Sequence, residues 1–348
     1  MLVNWKIVKL PHHSNNIPDP NQIIPNEKYW FFKNIKKENI SIDVIGISTS
    51  LKIINYIENK IKIYAIQAIQ AFFKRNQYDY ILSHSANSGF IFAIIKRILG
   101  FKKPKHIIID IGSLNGGRIN SIQIKILGYI LKSVDWFCYH AKITGKFYKE
   151  FFPHFYSKSS FIPFGVNYKD FHIEHLTEEK YILSFGYKKR DWNTLIKAVH
   201  GLKIRLLIVS NCSYINLPKN IIIIPPKNIN QLKKYIAKSQ FIILPLTDHP
   251  YSIGQMSLLQ SMSMGKVVIA SNVPGIRDYI EDNKTGLLYP PHRYDILRKK
   301  ILYLKSNKNF RKKIGIAARK IIINKFNEQN MARNVYNILK NLETQHFQ

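Results

Sequence analysis

Three groups of residues in this 348-residue chain have types and spacings that could handle a negatively charged ligand. Gly186 and Tyr187 are followed by Lys188, Lys189 and Arg190, three cations behind an apolar run at 181–185. Cations at the end of a buried strand, beside a glycine, suit a diphosphate leaving group whose developing charge they would neutralise. In so basic a chain they could equally be three solvated surface charges. Further on, Ser252-Ile253-Gly254-Gln255 leads into an apolar-periodic stretch that carries Met256 and Gln260 and closes at Gly265. A loop that feeds a helix start offers an anion free N–H groups and the positive end of the helix dipole. Gly254 would let a ligand approach the backbone. An ordinary strand–loop–helix, capped by Ser252 and Gln255, is the plainer alternative. The third group lies earlier. His12 and His13 follow a run at 6–10, His84 and Ser85 follow one at 78–83, and Asp110 ends one at 106–110, just before Gly112 and Ser113. Polar groups at strand ends could orient an acceptor hydroxyl, although a lone aspartate there also serves as a cap or turn former. His12 and His13 lack the nearby carboxylate or third ligand that a metal site needs.

The elements that must position these groups alternate. Strands are predicted over 6–10, 40–48, 78–83, 106–110 and 135–139, with helices over 54–74, 89–99 and 121–132. After a turn-rich segment at 161–166, strands are predicted over 181–186, 205–210, 221–224, 241–244 and 267–270. Helices are predicted over 193–200, 229–238, 256–264 and 330–342, with Gly265 as a C-terminal cap. This βαβα order predicts an α/β chain of two Rossmann-like, doubly wound domains facing a central cleft. Such a cleft is a usual ligand site.

Composition narrows the function. Hydrophobic residues make up 46% and charged residues 21%, which excludes a disordered or collagen-like chain. Two distant cysteines, Cys138 and Cys212, exclude a disulfide framework and a four-ligand zinc site. No apolar run reaches the roughly 18–20 residues that span a bilayer. The first ten residues, with Asn4, Lys6 and Lys9, are too polar for a signal-peptide core. The expected location is cytoplasmic. The formal charge is +32, and both halves are basic, with 24 basic and 10 acidic residues in 1–170. AT-rich codon usage favours Lys, Ile and Asn, but it should also favour Glu, of which there are only 10. Such a field attracts nucleic acid, anionic membranes or phosphorylated substrates. The aromatic and basic segment at 147–156 could dock on a membrane interface, or be a packed helix with a buried apolar face.

The stretch 245–291 resembles the donor-binding segment of the retaining glycosyltransferase family 4, which has the GT-B fold. Leu259-Gln260-Ser261-Met262-Ser263-Met264-Gly265-Lys266-Val267-Val268-Ile269-Ala270 carries the middle of that pattern, and Pro274-Gly275-Ile276-Arg277-Asp278 and Thr285-Gly286-Leu287-Leu288 its end. Upstream, Ile162-Pro163-Phe164-Gly165-Val166-Asn167 with Phe171 is similar to the family's linker entry. Gly186 with Lys188-Lys189-Arg190-Asp191 and Thr194-Leu195 is similar to its phosphate-binding turn. The resemblance covers about 160–340, with four matches in order; over 1–160 it rests on strand order.

The resemblance implies an acceptor domain at 1–165, a nucleotide-sugar domain at 166–328, and a C-terminal helix, 329–348, crossing back to the first. It implies a hexosyltransferase-type enzyme of polysaccharide biosynthesis, moving a sugar from a nucleotide diphosphate sugar to a glycan or lipid-linked acceptor with retention. Arg190, Lys189 and Asp110 would serve catalysis, with His12 and His84 on the acceptor side. Gly186, Lys188, Ser252, Gly254, Gln255, Met256 and Gln260 would bind the donor. No cofactor and no metal is expected, because in this fold basic groups and the helix dipole replace the cation. The family's two glutamates, eight apart, fall on Ser252 and Gln260. Gln260 can still bond a ribose diol, whereas Ser252 is shorter than a glutamate and Gln255 would take its place. Partners would be the nucleotide sugar, the acceptor and an anionic membrane surface, with the protein peripheral on its inner face. The alternatives are a sugar epimerase of the same fold, an inactive scaffold, or, from charge alone, a nucleic-acid-binding protein. Nucleic acid is not expected as a partner, since no helix-turn-helix, zinc-finger or RNA-binding-sheet signature is present.

Overall fold

The computed structural model describes all residues except 11–19, 25–26, 36–39, 48–51, 62–63, 112–119, 173–176, 215, 227, 250–252 and 345–348. Among the described residues the strands are β1 (Leu2–Val3), β2 (Val8–Lys9), β3 (Gln22–Ile23), β4 (Tyr80–His84), β5 (Lys105–Asp110), β6 (Trp136–Tyr139) and β7 (Ser159–Phe161), then β8 (Tyr181–Phe185), β9 (Arg205–Val209), β10 (Ile221–Ile224), β11 (Ile242–Leu244), β12 (Val268–Ser271) and β13 (Leu287–Tyr289). The chain divides into two compact units, Met1–Pro163 with Met331–Gln348, and Phe164–Asn330.

In the first unit a parallel sheet runs in the order β1-β4-β5-β6-β7. Its centre is the fully buried run Ile107-Ile108-Ile109 of β5. A strand covered on both faces needs such a continuous apolar run. This requirement explains why the first sheet strand is Leu2–Val3 and not the expected 6–10. Leu2 and Val3 are buried, whereas Val8 and Lys9 are exposed and pair only with Gln22–Ile23 in a separate two-stranded sheet. The expected strand at 40–48 contributes one bridge, with Ile45 beside Leu2 and its carbonyl accepting the Val3 N–H at 3.0 Å. The single helix expected over 54–74 is two, Lys52–Ile61 and Ala65–Phe73, with the Tyr64 ring buried between them. The Glu328–Thr344 helix closes the chain, and the Tyr80 hydroxyl of β4 donates to the Leu339 carbonyl at 3.1 Å.

In the second unit the order is β10-β9-β8-β11-β12-β13, parallel throughout. Alternate residues build two cores. Ile182, Leu206, Ile208, Ile243 and Ile269 face one layer of helices. Leu183, Phe185, Leu207, Val209, Ile242, Leu244, Val268 and Ala270 face the other. This is the two-residue period of a strand with both faces buried. Strand order reverses between β8 and β11, and in open α/β sheets ligands sit outside the strand ends at that point. No helix of the described residues is long and apolar enough to cross a membrane.

The Lys308–Asn324 helix packs against the Gln255–Ser263 helix at a glycine crossing. A Cβ on Gly315 would run into the Gly265 carbonyl oxygen, and the Arg319 guanidinium donates to the Ser263 carbonyl. Gly315→Ala should therefore push the helices apart and lower stability by about 1–3 kcal/mol. A urea midpoint unchanged from wild type would show that the crossing tolerates a methyl group.

Candidate functional site at the strand-order reversal

At the end of β8 the backbone turns at Gly186 with φ +106°, a conformation that side chains rarely adopt. The chain returns four residues later, where Arg190 bridges Leu246 behind β11. The Asp191 N–H donates to the Pro245 carbonyl at 2.8 Å and the Thr247 N–H to the Lys189 carbonyl at 3.1 Å. The loops after the two strands at the reversal are thus stitched together, with Lys189 at φ +54°. Lys188 and Lys189 are exposed.

Arg190 folds back over Gly186. Its Nε donates to the Phe185 carbonyl at 3.2 Å, Nη1 to the Lys188 carbonyl at 2.9 Å, and Nη2 to the Ser257 hydroxyl at 2.9 Å. Burial lowers its pKa to about 10, which still leaves it cationic at neutral pH. Two of its five N–H donors have no partner among the described residues. Ser257 lies in the first turn of the Gln255–Ser263 helix, so the guanidinium is fixed beside that helix start. Next to it, Asp191 caps the Trp192–Val199 helix by accepting the Thr194 N–H at 3.0 Å, and pairs with His292 at 2.8 Å.

The Gln255–Ser263 helix begins at Gly254, with φ +81°. The side of Gly254 that a Cβ would fill is already occupied, 2.9 Å away, by Leu246 Cδ1, so this glycine serves packing as well as the turn. Gln255, expected to reach a sugar, is buried and donates to the Gly275 carbonyl at 3.2 Å. It fastens the 274–277 turn to the helix and does not cap it. Met256 is exposed. Gln260 is buried, and its side-chain amide has no hydrogen-bond partner among the described residues. Ser252 lies outside the described residues, as do His12, His13, Gly112 and Ser113.

Sequence reading missed an open pocket of about 460 Å³ at the ends of β9 and β10, lined by Ser210, Cys212, Tyr214, Leu217, Ile223 and Pro225 among others. Its size suits a small organic ligand. It adjoins the cationic turn, since the Gly186 N–H donates to the Val209 carbonyl at 3.1 Å and Ser210 follows. No residue of 210–217 has a charge or a spacing that advertises a site; only its place after two strands does.

In the first unit, His84, Asp110 and His140 lie at the ends of β4, β5 and β6. All are buried, Asp110 included, so the expected strand-end residues are enclosed and not displayed on the surface. His84 sits against the rings of Trp5 and Trp30, with centroids 5.5 and 4.9 Å away, and neither of its ring nitrogens has a partner among the described residues. Burial pushes the His84 pKa down to about 3, helped by His140 at 6.1 Å between centroids. Burial likewise pushes His140 down to about 4, although the Ile162 carbonyl accepts from its Nδ1 at 2.7 Å. Both rings are neutral at physiological pH. The aromatic segment at 147–156 is packed: Tyr148, Phe152 and Phe155 are buried in the core with Phe137. In the same segment Phe151 is 38% exposed, so its rings divide between the core and the surface.

Comparisons with known proteins bear on the fold. Residues 175–321 match the family Glycosyl transferases group 1. A stretch of 133 residues is 25% identical to an uncharacterized glycosyltransferase of Methanocaldococcus jannaschii, covering 38% of this chain and 34% of that protein. The matched stretch thus spans about a third of that relative's length. A glycosyltransferase of Rickettsia africae superposes with TM-score 0.65 at 22% identity, over 86% of this chain and 85% of that one. Anabaena HepE, solved in complex with UDP, gives 0.67 at 12% over 87% and 86%. Sucrose-phosphate synthase of Thermosynechococcus elongatus gives 0.67 at 15% over 99% and 89%. The fold is GT-B, with two Rossmann-like units, and the match to Glycosyl transferases group 1 lies within the second.

Two expectations follow. A Cβ on Gly186 would collide with the Arg190 guanidinium, with Cζ at 2.9 Å. Gly186→Ala should cost about 1–3 kcal/mol, and less when Arg190→Ala removes the colliding group; a double-mutant cycle reads the coupling. A strictly additive pair would mean that backbone strain alone holds Gly186. The buried histidines set a pH dependence. Their folded pKa values lie below the unfolded one, so the unfolded chain binds more protons, and stability falls as pH drops below about 6.5. At pH 5 each should have cost about 2 kcal/mol. Urea midpoints for wild type and His84→Gln should converge on acidification; parallel curves would place His84 in water.

Proposed function

We propose that this protein is a retaining glycosyltransferase that moves a sugar from a nucleotide diphosphate sugar to a glycan or lipid-linked acceptor. One observation carries the reading: the half-buried Arg190 guanidinium is bonded to the first turn of the Gln255–Ser263 helix, beside a pocket of about 460 Å³ at the neighbouring strand ends. A ligand with a small organic body and an adjoining diphosphate suits that pairing of pocket and cation. The UDP and UDP-glucose held by HepE in its solved complexes support a nucleotide sugar as the donor.

In this reading the two uncommitted N–H groups of Arg190, the ammonium groups of Lys188 and Lys189 and the amides of the helix start hold the diphosphate. The bond from the anomeric carbon to the β-phosphate oxygen breaks, and the acceptor oxygen bonds to that carbon on the same face. The acceptor proton leaves on the diphosphate. The cations are placed where negative charge grows in that step. Neither cofactor nor metal ion is needed, since charge neutralisation is their role. The Gln260 amide takes the ribose diol. Ser252, Met256 and the Gly254 backbone border the sugar, and Gln255 positions the 274–277 turn. His84 and Asp110, with His12, belong to the acceptor side. The enzyme works in polysaccharide biosynthesis, in the cytoplasm at the inner face of a membrane.

A thermal-shift panel of nucleotide sugars tests the donor. A cognate donor at a hundredfold excess over Kd stabilises by about 2.7 kcal/mol, and Arg190→Ala should weaken nucleoside diphosphate binding about ten- to hundredfold. Gln260→Ala should weaken even the bare nucleotide. Unchanged diphosphate affinity in folded Arg190→Ala, measured by calorimetry, refutes the assignment. Salt-sensitive nucleic-acid binding, with no nucleotide-sugar response, would replace it with a different function.

A further inference from the structure

We propose that the outward face of the Ser121–Leu131 helix, in the first unit, docks this protein on anionic membranes. The helix starts sharply, because Asn120 and Gln123 form a reciprocal capping box. Its inner side packs Ile130 and Leu131 into the core, with Ile124 and Leu127 against it. The opposite line, where an amphipathic helix ordinarily carries charge, holds Ile122, Ile126 and Tyr129, which are 67%, 54% and 51% exposed. Spacings of four and three residues put them on one stripe.

Cations border the stripe. Lys125 and Lys132 are exposed beside it, and the Arg97 guanidinium lies 4.9 Å over the Tyr129 ring. Between residues 86 and 134 the sole acidic residue is Asp110, which is buried. A second copy of the chain is a poor occupant, since a two-fold contact sets the same patch against itself and opposes lysine to lysine. A layer of anionic headgroups over acyl chains matches both features. Apolar side chains enter the acyl boundary while lysines reach back to the phosphates. The proposal rests on the transferase reading only for the purpose of docking, namely access to a lipid-linked acceptor.

Co-sedimentation of the full chain with vesicles of equal parts phosphatidylcholine and phosphatidylglycerol, against phosphatidylcholine alone, tests it. Ile122→Ser with Ile126→Ser should reduce partitioning about tenfold per residue at low and high salt alike, because apolar burial is not screened. Lys125→Gln with Lys132→Gln should reduce it about fivefold per residue at low salt only. Ile126→Trp adds a second readout: its emission should shift to the blue with anionic vesicles. The substituted side chains are exposed, so the variants should melt like wild type and bind nucleoside diphosphate equally. Vesicle binding indifferent to the isoleucine pair overturns the proposal. So does a wild-type dimer that this pair dissociates while vesicle binding persists. If vesicles bind as stated but no nucleotide sugar does, the docking face stands and the transferase reading fails.

Discussion

The second unit depends on a cation held inside the seam between its two half-sheets. Arg190 could have been a solvated surface charge; instead three of its donors are fixed to Phe185, Lys188 and Ser257. A partly buried guanidinium is tolerable only with its hydrogen bonds made, and each of those bonds constrains something else. The bond to Ser257 sets the Gln255–Ser263 helix relative to β8. The space the guanidinium fills excludes a side chain at Gly186. The bond to the Lys188 carbonyl curls the intervening residues so tightly that Lys189 takes a left-handed backbone. Such strain persists only where surroundings over-determine it, and it is common at functional sites.

The same constraint explains the direction of the site. Parallel strands covered on both faces leave their C-terminal ends as the one edge where loops, helix starts and polar side chains meet. Both sheets follow this rule. The first unit gathers His84, Asp110 and His140 at its strand ends, where burial keeps the rings neutral. The second gathers cations and a helix start. The two units thus place different chemistry at the same kind of edge, buried histidines and a buried aspartate in the first and exposed lysines in the second.

Legibility in the sequence followed the length and regularity of the apolar pattern. In the second unit the strand at 221–224 and the helix at 229–238 sit where periodicity predicted them, because pure isoleucine runs and evenly spaced apolar residues leave little ambiguity. In the first unit the run at 6–10 misled, since local β-propensity cannot tell a sheet strand from the small β2–β3 ribbon; Leu2 and Val3 are two residues with almost no pattern. The segment at 147–156 alternates aromatics with lysines, and only the packing of Tyr148 and Phe155 against Phe137 reveals which face is inward. Arg190 was legible as a cation after a strand, but its fold-back onto Ser257 was not, being a contact across 67 residues of chain. Gln255 misled for the same reason, as its partner, the Gly275 carbonyl, belongs to another turn.

The surplus of positive charge gains meaning once the acids are placed. Asp135 is engaged by Lys96, Lys105 and the His106 N–H, Asp191 by a helix cap and His292, and Asp170 by Lys233. Glu178 holds Arg311, Glu179 holds Lys238, and Asp295 holds Arg293. These carboxylates are already committed to cations and caps within the fold, while the chain carries 53 Lys and Arg against 21 acids. The uncompensated cations must therefore meet their counter-charge outside the protein. Small ions can supply it anywhere, but at the turn after β8 and along the Ser121–Leu131 helix the cations stand beside a pocket and an exposed apolar stripe. At those two places a phosphate attached to something larger gains contacts that a free ion lacks, and the positive field becomes selective.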